Sequence, residues 1–468
     1  MSFMIYDIIL LVVFAIFLAL FLYRKKKNLK KEGSLLLYRT SWGMKIIDRI
    51  GTKYKKTLKF LSYISIGLGY VLMVGVLGLV YTIVKIYVLR PDVVSAIKVP
   101  PIMPLIPYID KVVDFLPPFY FIYWIIIIAI IAIPHEFAHG IFMRRYNIKI
   151  KSTGFGFFPF FLPVFLAAFV EQDEKSMVKA KNFEQRAVLS AGTFANVLTA
   201  IFFLIILGIF FTFCFSPAGV TFDDYAYTTI NVSAITMING VQVDNPMMKE
   251  LTDLVEDSSF NEIKSGKEEF IGIKNFPNEE QVTLYYKTPA MESKLNGAII
   301  EINNVEIKSL EELSYELDKY FPGEEIEIKT KTSNGKNITS IILKENPMNG
   351  KSWLGIVFFQ SNSGGISGKV FSVISSFKEP HTYYESIMGE FGWFIYYLLW
   401  WLVLISVSVA LVNMLPMGIF DGGRFFYLTI IALGGSKKFA EKSFKYITYF
   451  FLLLLLVIMA YWVLAIFF

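Results

Sequence analysis

The chain has 468 residues, of which 55% are hydrophobic and only 18% are charged, and its formal net charge is +6. A water-soluble domain usually carries about a quarter charged residues, so this composition excludes a wholly soluble globular protein. The single cysteine, Cys214, excludes both an intrachain disulfide and a cysteine-rich metal site.

Six apolar segments suit a lipid bilayer, since a membrane-spanning helix needs about 20 mostly apolar residues. Five of them contain no charged residue: 61–84, 115–134, 187–222, 391–420 and 446–468. A sixth, 8–23, is shorter but is extended by Phe3, Met4 and Ile5. Because the basic cluster at 24–27 follows this first segment, the pattern predicts a membrane anchor and not a signal peptide.

The distribution of charge predicts the orientation of these segments. Lys and Arg are dense at 24–59, 144–151 and 175–186, which the positive-inside rule places in the cytoplasm. Alternation then predicts that 90–114 and 223–390 lie outside, and the second of these holds most of the acidic residues. The net positive charge is therefore explained by the Lys and Arg residues of the cytoplasmic loops, which set the orientation in the membrane, and no nucleic-acid partner is predicted.

The stretch 152–174, "STGFGFFPFFLPVFLAAFVEQDE", is apolar, but its composition disfavours a helix. Gly154, Gly156, Pro159 and Pro163 all interrupt helical structure. Non-helical backbone survives at membrane depth only where it is buried in protein or lines a polar cavity. The stretch therefore predicts a re-entrant hairpin or loop, with an interfacial amphipathic segment as the alternative.

Three ionisable residues end the third apolar run, within "IIAIPHEFAHGIFMRR" at 130–145. His135 and His139 are four residues apart, so on a helix both imidazoles lie on one face and reach one ion. Glu136 is rotated away from that face but stays near it, which suits a general base. Each ionisable group at membrane depth costs at least a few kcal/mol unless paired or hydrated, so a shared dication, zinc, is predicted. The alternative is an accidental match to a short pattern.

A third ligand is needed, and two residues are candidates. Asp421 directly follows the thirty uncharged residues of the fifth span and is the only acid there, and by charge sidedness it lies toward the same membrane side as the two histidines. His381 is the other candidate, but the predicted topology places it outside. Asp421 is therefore the preferred ligand, and an interfacial turn residue is the alternative interpretation for it.

At this point the sequence resembles the site-2 protease family of intramembrane zinc metalloproteases. The resemblance rests on HEFAH in an apolar helix together with "NMLPMGIFDGG", in which Asn413, Pro416, Asp421 and Gly422 match the family pattern. The segment "SAGTFANVLTA" (190–200) also resembles the central helix of the family, with its Gly192 and Asn196. Met417-Gly418 and Phe420 depart from the usual residues of the second motif, although neither departure changes a ligand.

The resemblance implies a role for each matched residue. His135, His139 and Asp421 would be the zinc ligands, Glu136 the catalytic base, and Asn196 and Asn413 would lie near the substrate. For the asparagines, interhelical hydrogen bonding is the alternative, since it is common in membrane proteins. A helical substrate must unwind before cleavage, and the edge of the 154–170 hairpin could pair with it by strand addition.

The polar block between spans four and five resembles a PDZ domain. "NGAIIEINNVEIKSLEELSYELDKYFPGEEIEIKT" (296–330) has the pattern strand, turn, strand, helix, turn, strand, and "AITMINGVQVD" (234–244) repeats its opening. One or two PDZ-like copies are expected, and the resemblance implies that they bind a peptide or a substrate ectodomain and gate substrate entry. A spacer fold without a ligand is the alternative.

The predicted fold is a polytopic α-helical membrane protein of about six transmembrane helices with a re-entrant hairpin and an inserted extracytoplasmic α+β PDZ-like domain. The predicted domains are the N-terminal transmembrane pair with its basic hairpin (1–118), the first half of the catalytic membrane core (119–215), the PDZ-like region (216–390) and the second half of the core (391–468). The boundaries follow the change from apolar to polar composition.

The predicted function is a zinc-dependent intramembrane endopeptidase that cleaves transmembrane segments of other membrane proteins, in regulated intramembrane proteolysis. The predicted partners are a transmembrane protein substrate and the lipid bilayer. The alternatives are a metal transporter, for which no repeated halves are visible, and a membrane scaffold with a non-catalytic metal site. A metalloprotease with a water-facing site would need its HExxH outside an apolar helix.

Overall fold

The structure is a computed structural model of the whole chain. It describes residues 3–32, 35–91, 94, 100, 103, 105–113, 116–157, 166–255, 261–333, 335–346, 349–359 and 376–467. The middle of the predicted re-entrant hairpin, 158–165, lies outside the described residues, and so do Pro159 and Pro163.

Helices account for most of the apolar sequence. In chain order they are α1 (Phe3–Arg24), α2 (Met44–Lys53), α3 (Lys55–Leu89), α4 (Phe121–Arg145), α5 (Glu174–Lys179), α6 (Asn182–Cys214), α7 (Met248–Leu254), α8 (Pro289–Glu292), α9 (Leu310–Leu317), α10 (Glu390–Asn413), α11 (Asp421–Ala432) and α12 (Lys437–Phe467). Within the described residues, α1, α3, α4, α6, α10 and α12 are long and apolar enough to cross a membrane. The prediction of six spans is thus confirmed, and the protein is an integral membrane protein.

The chain divides into two compact units. The described residues within Met1–Phe211 and Trp393–Phe468 form the first, which we call the membrane unit. Those within Thr212–Ser363 and Ser375–Gly392 form the second, which we call the inserted unit because it lies between α6 and most of α10 in the sequence.

The membrane unit contains one antiparallel sheet, in the order β1 (Leu29–Glu32), β2 (Leu35–Thr40), β3 (Ile150–Phe157) and β4 (Leu166–Gln172). The glycine-rich stretch of the sequence therefore forms strands and not helix. Gly154 lies opposite Phe169, and a Cβ at Gly154 would stand 2.2 Å from the carbonyl oxygen of Tyr38, so only glycine fits there. Strand β4 lies at the edge of this sheet, among the residues that the structure describes.

Small residues allow the helices of the membrane unit to pack closely. Ala187 and Ala191 of α6 are fully buried in the main apolar cluster, which also holds Met414 and Phe425. A Cβ at Gly69 of α3 would stand 3.2 Å from the side chains of both Met414 and Phe425. Such close approach is how helices associate in membranes, where the hydrophobic effect no longer favours burial over lipid contact.

The inserted unit is built from strands and short helices. Its strands are β5 (Phe215–Val220), β6 (Asp224–Tyr225), β7 (Tyr227–Asn231), β8 (Met237–Ile238), β9 (Val241–Gln242), β10 (Glu262–Ser265), β11 (Glu268–Asn275), β12 (Gln281–Tyr286), β13 (Ala298–Ile302), β14 (Val305–Glu306), β15 (Glu325–Thr332), β16 (Gly335–Ile342), β17 (Lys344–Glu345), β18 (Ser352–Trp353), β19 (Ile356–Val357) and β20 (Thr382–Ser386). One sheet has the order β7-β12-β11-β10-β8-β9, and another has the order β16-β15-β13-β5-β20 with β14 beside β13.

The two large sheets of the inserted unit contain the same arrangement twice. A tight hairpin, a helix and two further strands follow one another as β8-β9-α7-β10-β11 and again as β13-β14-α9-β15-β16. In each copy the first hairpin strand pairs with the strand that follows the helix: Ile238 lies opposite Ile263, and Ile302 lies opposite Ile328. All four isoleucines are fully buried, so each copy has its own apolar core.

Matching asparagines occupy the two hairpin turns. Asn239 and Asn303 both have left-handed backbones, with φ of 48° and 44°. Asn239 Oδ1 accepts a hydrogen bond from the Glu262 N–H at 2.9 Å, and Asn303 Oδ1 accepts one from the Glu327 N–H at 2.8 Å. Asparagine tolerates this backbone better than other residues with a side chain. The shared residue, backbone and contact identify the two segments as structural repeats.

Candidate metal centre

The two histidines of the HExxH motif lie side by side on α4, as their spacing predicts. His135 and His139 are 8% and 7% exposed, and their Nε2 atoms are 3.1 Å apart. The two rings are nearly perpendicular, at 77°. One apolar helix thus presents two ring nitrogens at a single buried point.

Asp421 comes to the same point from a different part of the chain. Its Oδ2 lies 3.5 Å from His135 Nε2 and 3.2 Å from His139 Nε2. Asp421 is the first residue of α11, where two glycines permit tight packing. A Cβ at Gly422 would stand 2.3 Å from the Met414 carbonyl carbon, and one at Gly423 would stand 2.2 Å from the Met417 oxygen.

His381, the other candidate for a third ligand, has a different partner. It belongs to the inserted unit, where its Nδ1 lies 3.3 Å from Asp223 Oδ2 and its Nε2 lies 3.1 Å from the Phe359 carbonyl oxygen. The structure thus brings Asp421, and not His381, to the histidine pair.

Helix α6 contacts the Nδ1 atoms of both imidazoles, which are the ring nitrogens that do not face Asp421. His139 Nδ1 lies 2.7 Å from the Val188 carbonyl oxygen, and His135 Nδ1 lies 3.0 Å from Asn196 Nδ2. A Cβ at Gly192 would stand 2.4 Å and 2.5 Å from the Nε2 atoms of His139 and His135. The glycine therefore leaves the space that the rings need.

Glu136 is held beside the histidines by the edge strand of the sheet. Its Oε2 accepts a hydrogen bond from the Val170 N–H of β4 at 2.9 Å. This contact leaves Oε1 for another partner. Sequence reasoning missed the roles of Val170 and Val188 because both act through their backbone, which carries no signature in the side chain.

The donor set fits a zinc ion. The ligand atoms of His135, His139 and Asp421 all lie within 4.8 Å of one another. Zinc bonds of about 2.0–2.1 Å in a tetrahedron separate the ligand atoms by about 3.3 Å. The separations of 3.1, 3.2 and 3.5 Å are close to that value. Three protein ligands with a fourth position open is the usual arrangement of a catalytic zinc site.

Comparison with known proteins agrees with this site. Peptidase family M50 matches residues 123–459, a range that contains HExxH and Asp421. The chain belongs to peptidase family M50, the site-2 protease family. It is also 29% identical over 197 residues to a protein of Methanocaldococcus jannaschii described as uncharacterized protein MJ0971. That alignment covers 41% of this chain and 48% of the archaeal protein, so it spans about half the length of that relative.

Two cavities of this M50 family member meet at the metal centre, and both are lined by His135, Glu136 and Asp421. The first has a volume of about 430 Å³ and is mostly apolar. Residues of α4 and α10 line it, among them Trp124, Ile128, Ile405, Val409 and Asn413. Asn413 therefore faces an open space beside the centre, whereas Asn196 is fully buried behind His135.

The second cavity has a volume of about 470 Å³ and a more polar lining than the first. Lys151, Glu171, Gln172 and Glu174 line it. Burial raises the pKa of Glu171, but hydrogen bonds from Ser152 and from Arg39 outweigh burial and hold that pKa below its usual value. The charged lining gives water a favourable path toward Glu136.

Proposed function

We propose that this protein is a zinc-dependent endopeptidase that cleaves transmembrane segments of other membrane proteins. The observation that carries the proposal is the convergence of His135, His139 and Asp421 beside Glu136 within the membrane unit. The centre has both an apolar cavity, which suits a membrane segment, and a second cavity with charged side chains in its lining, which suits water.

The residues of the centre divide the chemistry among them. His135, His139 and Asp421 would hold the ion, which when bound acts as a Lewis acid and lowers the pKa of a water molecule to roughly 7. Glu136 Oε1 accepts a proton from the attacking water, since Oε2 is occupied by the Val170 N–H. Glu136 then passes that proton to the leaving amide nitrogen, as a general base that becomes a general acid.

An unwound substrate would pair with the edge of β4. A helical peptide bond is shielded by its own hydrogen bonds, so the substrate must be extended locally before attack. Ala168 lies two residues before Val170 and lines the apolar cavity, and in a strand the N–H groups of both face the same edge. Strand addition at this edge would align the substrate beside Glu136. Asn413 would hydrogen-bond to the exposed substrate backbone.

The inserted unit would select or admit substrates. Its repeated strand-turn-strand-helix-strand pattern supports two PDZ-like copies that bind a peptide or the ectodomain of the substrate. By charge sidedness the inserted unit is extracytoplasmic and the basic loops are cytoplasmic. Cleavage of a transmembrane segment in this setting would release a fragment, as in regulated intramembrane proteolysis.

The test of the catalytic proposal is Glu136→Gln, studied as the full chain beside wild type. Both proteins should hold about one zinc per chain by elemental analysis, because the ligands are unchanged. Cells expressing the wild type should contain membrane-protein fragments whose new ends lie inside apolar segments, and cells expressing Glu136→Gln should lack them. If the variant yields the same fragments, Glu136 is not the base. Zinc uptake into vesicles that needs His135 but produces no cleavage would instead indicate a transporter.

Deleting 225–360 tests the proposal for the inserted unit. The set of cleaved proteins should change, while zinc content and the position of attack within a still-cleaved substrate stay the same. An unchanged set of substrates would indicate a spacer fold.

A further inference from the structure

Helix α6 presents one row of residues to the two imidazoles. Val188, Gly192 and Asn196 are spaced four residues apart, so they lie on one face of α6, a turn apart. The Val188 carbonyl faces His139, Gly192 makes room for both rings, and the Asn196 amide faces His135. Each imidazole thus has its own partner on α6, and the two partners are a backbone carbonyl and a side-chain amide.

The Val188 contact shows what such a partner does. A carbonyl oxygen only accepts, so His139 must carry its ring proton on Nδ1, at 2.7 Å from the oxygen. Nε2 then carries a lone pair, and it points to Asp421 and His135. A ring nitrogen binds a cation through that lone pair, so the contact selects the binding form of His139.

His135 needs the same arrangement, and Asn196 can supply it. Asn196 is fully buried, and its Oδ1 has no hydrogen-bond partner within the described residues. Its Nδ2 lies 3.0 Å from His135 Nδ1. A half-turn of the amide exchanges oxygen and nitrogen without needing more space, and then Oδ1 accepts a hydrogen bond from Nδ1–H. That exchange gives the unpaired oxygen a hydrogen-bond partner, moves Nδ2 to the place that the oxygen occupied, and leaves His135 Nε2 with its lone pair toward the centre.

We propose that Asn196 is a positioning residue for the metal centre: its amide oxygen accepts the Nδ1 proton of His135 and so fixes the ring in the form that binds the cation. This inference rests on the proposed zinc site. It assigns Asn196 to a ligand and not to the substrate, because the residue is buried behind His135 and lines neither cavity of the centre.

The test separates shape from hydrogen bonding by comparing Asn196→Leu with Asn196→Asp. Both side chains are close to asparagine in size, but leucine has no acceptor and aspartate has two. Zinc affinity of the purified full chain is measured by competition with a chelator. Asn196→Leu should bind zinc about 10- to 100-fold more weakly than wild type, as is usual when the outer partner of a ligating histidine is lost. Asn196→Asp should bind zinc at least as tightly as wild type.

Asn182→Leu is the matched control on the same helix. Asn182 Nδ2 donates to the Leu428 carbonyl oxygen at 2.8 Å and does not contact either histidine, so this variant should keep wild-type zinc affinity. Equal zinc affinity in wild type and Asn196→Leu would overturn the inference, and so would equal weakening by leucine and aspartate. If Asn196→Leu does not fold, a weakened Asn196→Asp alone overturns it. A wild type that binds no zinc would overturn the proposed metal site itself.

Discussion

Asp7 caps the helix that carries the metal centre: its Oδ2 accepts a hydrogen bond from the Phe121 N–H at 2.7 Å, although 114 residues separate the two. Its Oδ1 accepts from the Ile122 N–H at 3.0 Å, and the Tyr108 hydroxyl donates to Oδ2 at 2.8 Å. Asp7 is 2% exposed. A carboxylate on α1 thus accepts hydrogen bonds from the first two N–H groups of α4 and interacts favourably with the positive end of its dipole.

We expect Asp7→Leu to destabilise the membrane unit. Loss of a helix cap costs about 1 kcal/mol, and each buried donor left unpaired costs about 1–3 kcal/mol, so the melting temperature should fall clearly. Asp7→Asn keeps one acceptor oxygen, so its melting temperature should fall less than that of Asp7→Leu. Thermal unfolding of the full chain in detergent measures both. Equal melting temperatures for Asp7→Leu and wild type would show that the contact does not stabilise α4.

Gly192→Ala should abolish zinc binding by crowding the two rings. The added Cβ would stand 2.4 Å from His139 Nε2, and since that atom is a proposed ligand, the ring must leave its position. Elemental analysis should show zinc lost from this variant. Gly67→Ala is the control, because nothing lies within 4 Å of a Cβ at that position of α3 and alanine favours helix. Gly192→Ala with full zinc occupancy would contradict the assigned geometry.

The third ligand can be decided by comparing Asp421→Ala with His381→Ala. Asp421 Oδ2 lies within 3.5 Å of both histidines, so its removal should lower zinc content together with activity. His381 pairs with Asp223 in the inserted unit, so His381→Ala should retain zinc. Metal analysis of the two purified variants distinguishes them. Zinc retained in Asp421→Ala but lost from His381→Ala would reverse the assignment.

The parts of this centre that the sequence could predict are those in which charge interrupts apolar sequence. His135, Glu136, His139 and Asp421 are conspicuous because lipid disfavours them, and the spacing of the histidines places them on one helix face. Asp7 gives no such signal, because it stands just before the apolar run 8–23 and does not interrupt it. Its partners lie in a distant segment, and nothing local to Asp7 indicates them.

Like the cap that Asp7 forms, the backbone contacts of the centre could not be predicted from the sequence. The Val170 N–H and the Val188 carbonyl depend on the register of β4 and the rotation of α6, and any residue at those positions offers the same groups. In the inserted unit, by contrast, the sequence predicts the repeated turns, because few residue types other than glycine and asparagine adopt the left-handed backbone found at Asn239 and Asn303.

Ala168→Pro tests whether substrate pairs with the edge of β4. Proline removes the N–H that would face the substrate, and at an edge position it spares the pairing between β4 and β3. Its fixed φ also suits extended backbone. The substrate is a membrane protein whose fragments appear with wild type and are missing with Glu136→Gln. Its rate of cleavage by Ala168→Pro should fall about 10-fold or more, because losing a hydrogen bond worth about 1.4 kcal/mol in the bound substrate corresponds to a factor of ten.

Ala168→Ser is the matched control, since it keeps the N–H and changes the side chain little, and it should cleave at nearly the wild-type rate. Zinc content should equal that of wild type in both variants, because Ala168 is not a proposed ligand. A loss of zinc in Ala168→Pro would show that the strand had moved Glu136 and the centre. Normal cleavage by Ala168→Pro with normal zinc would mean that the substrate backbone does not use this edge.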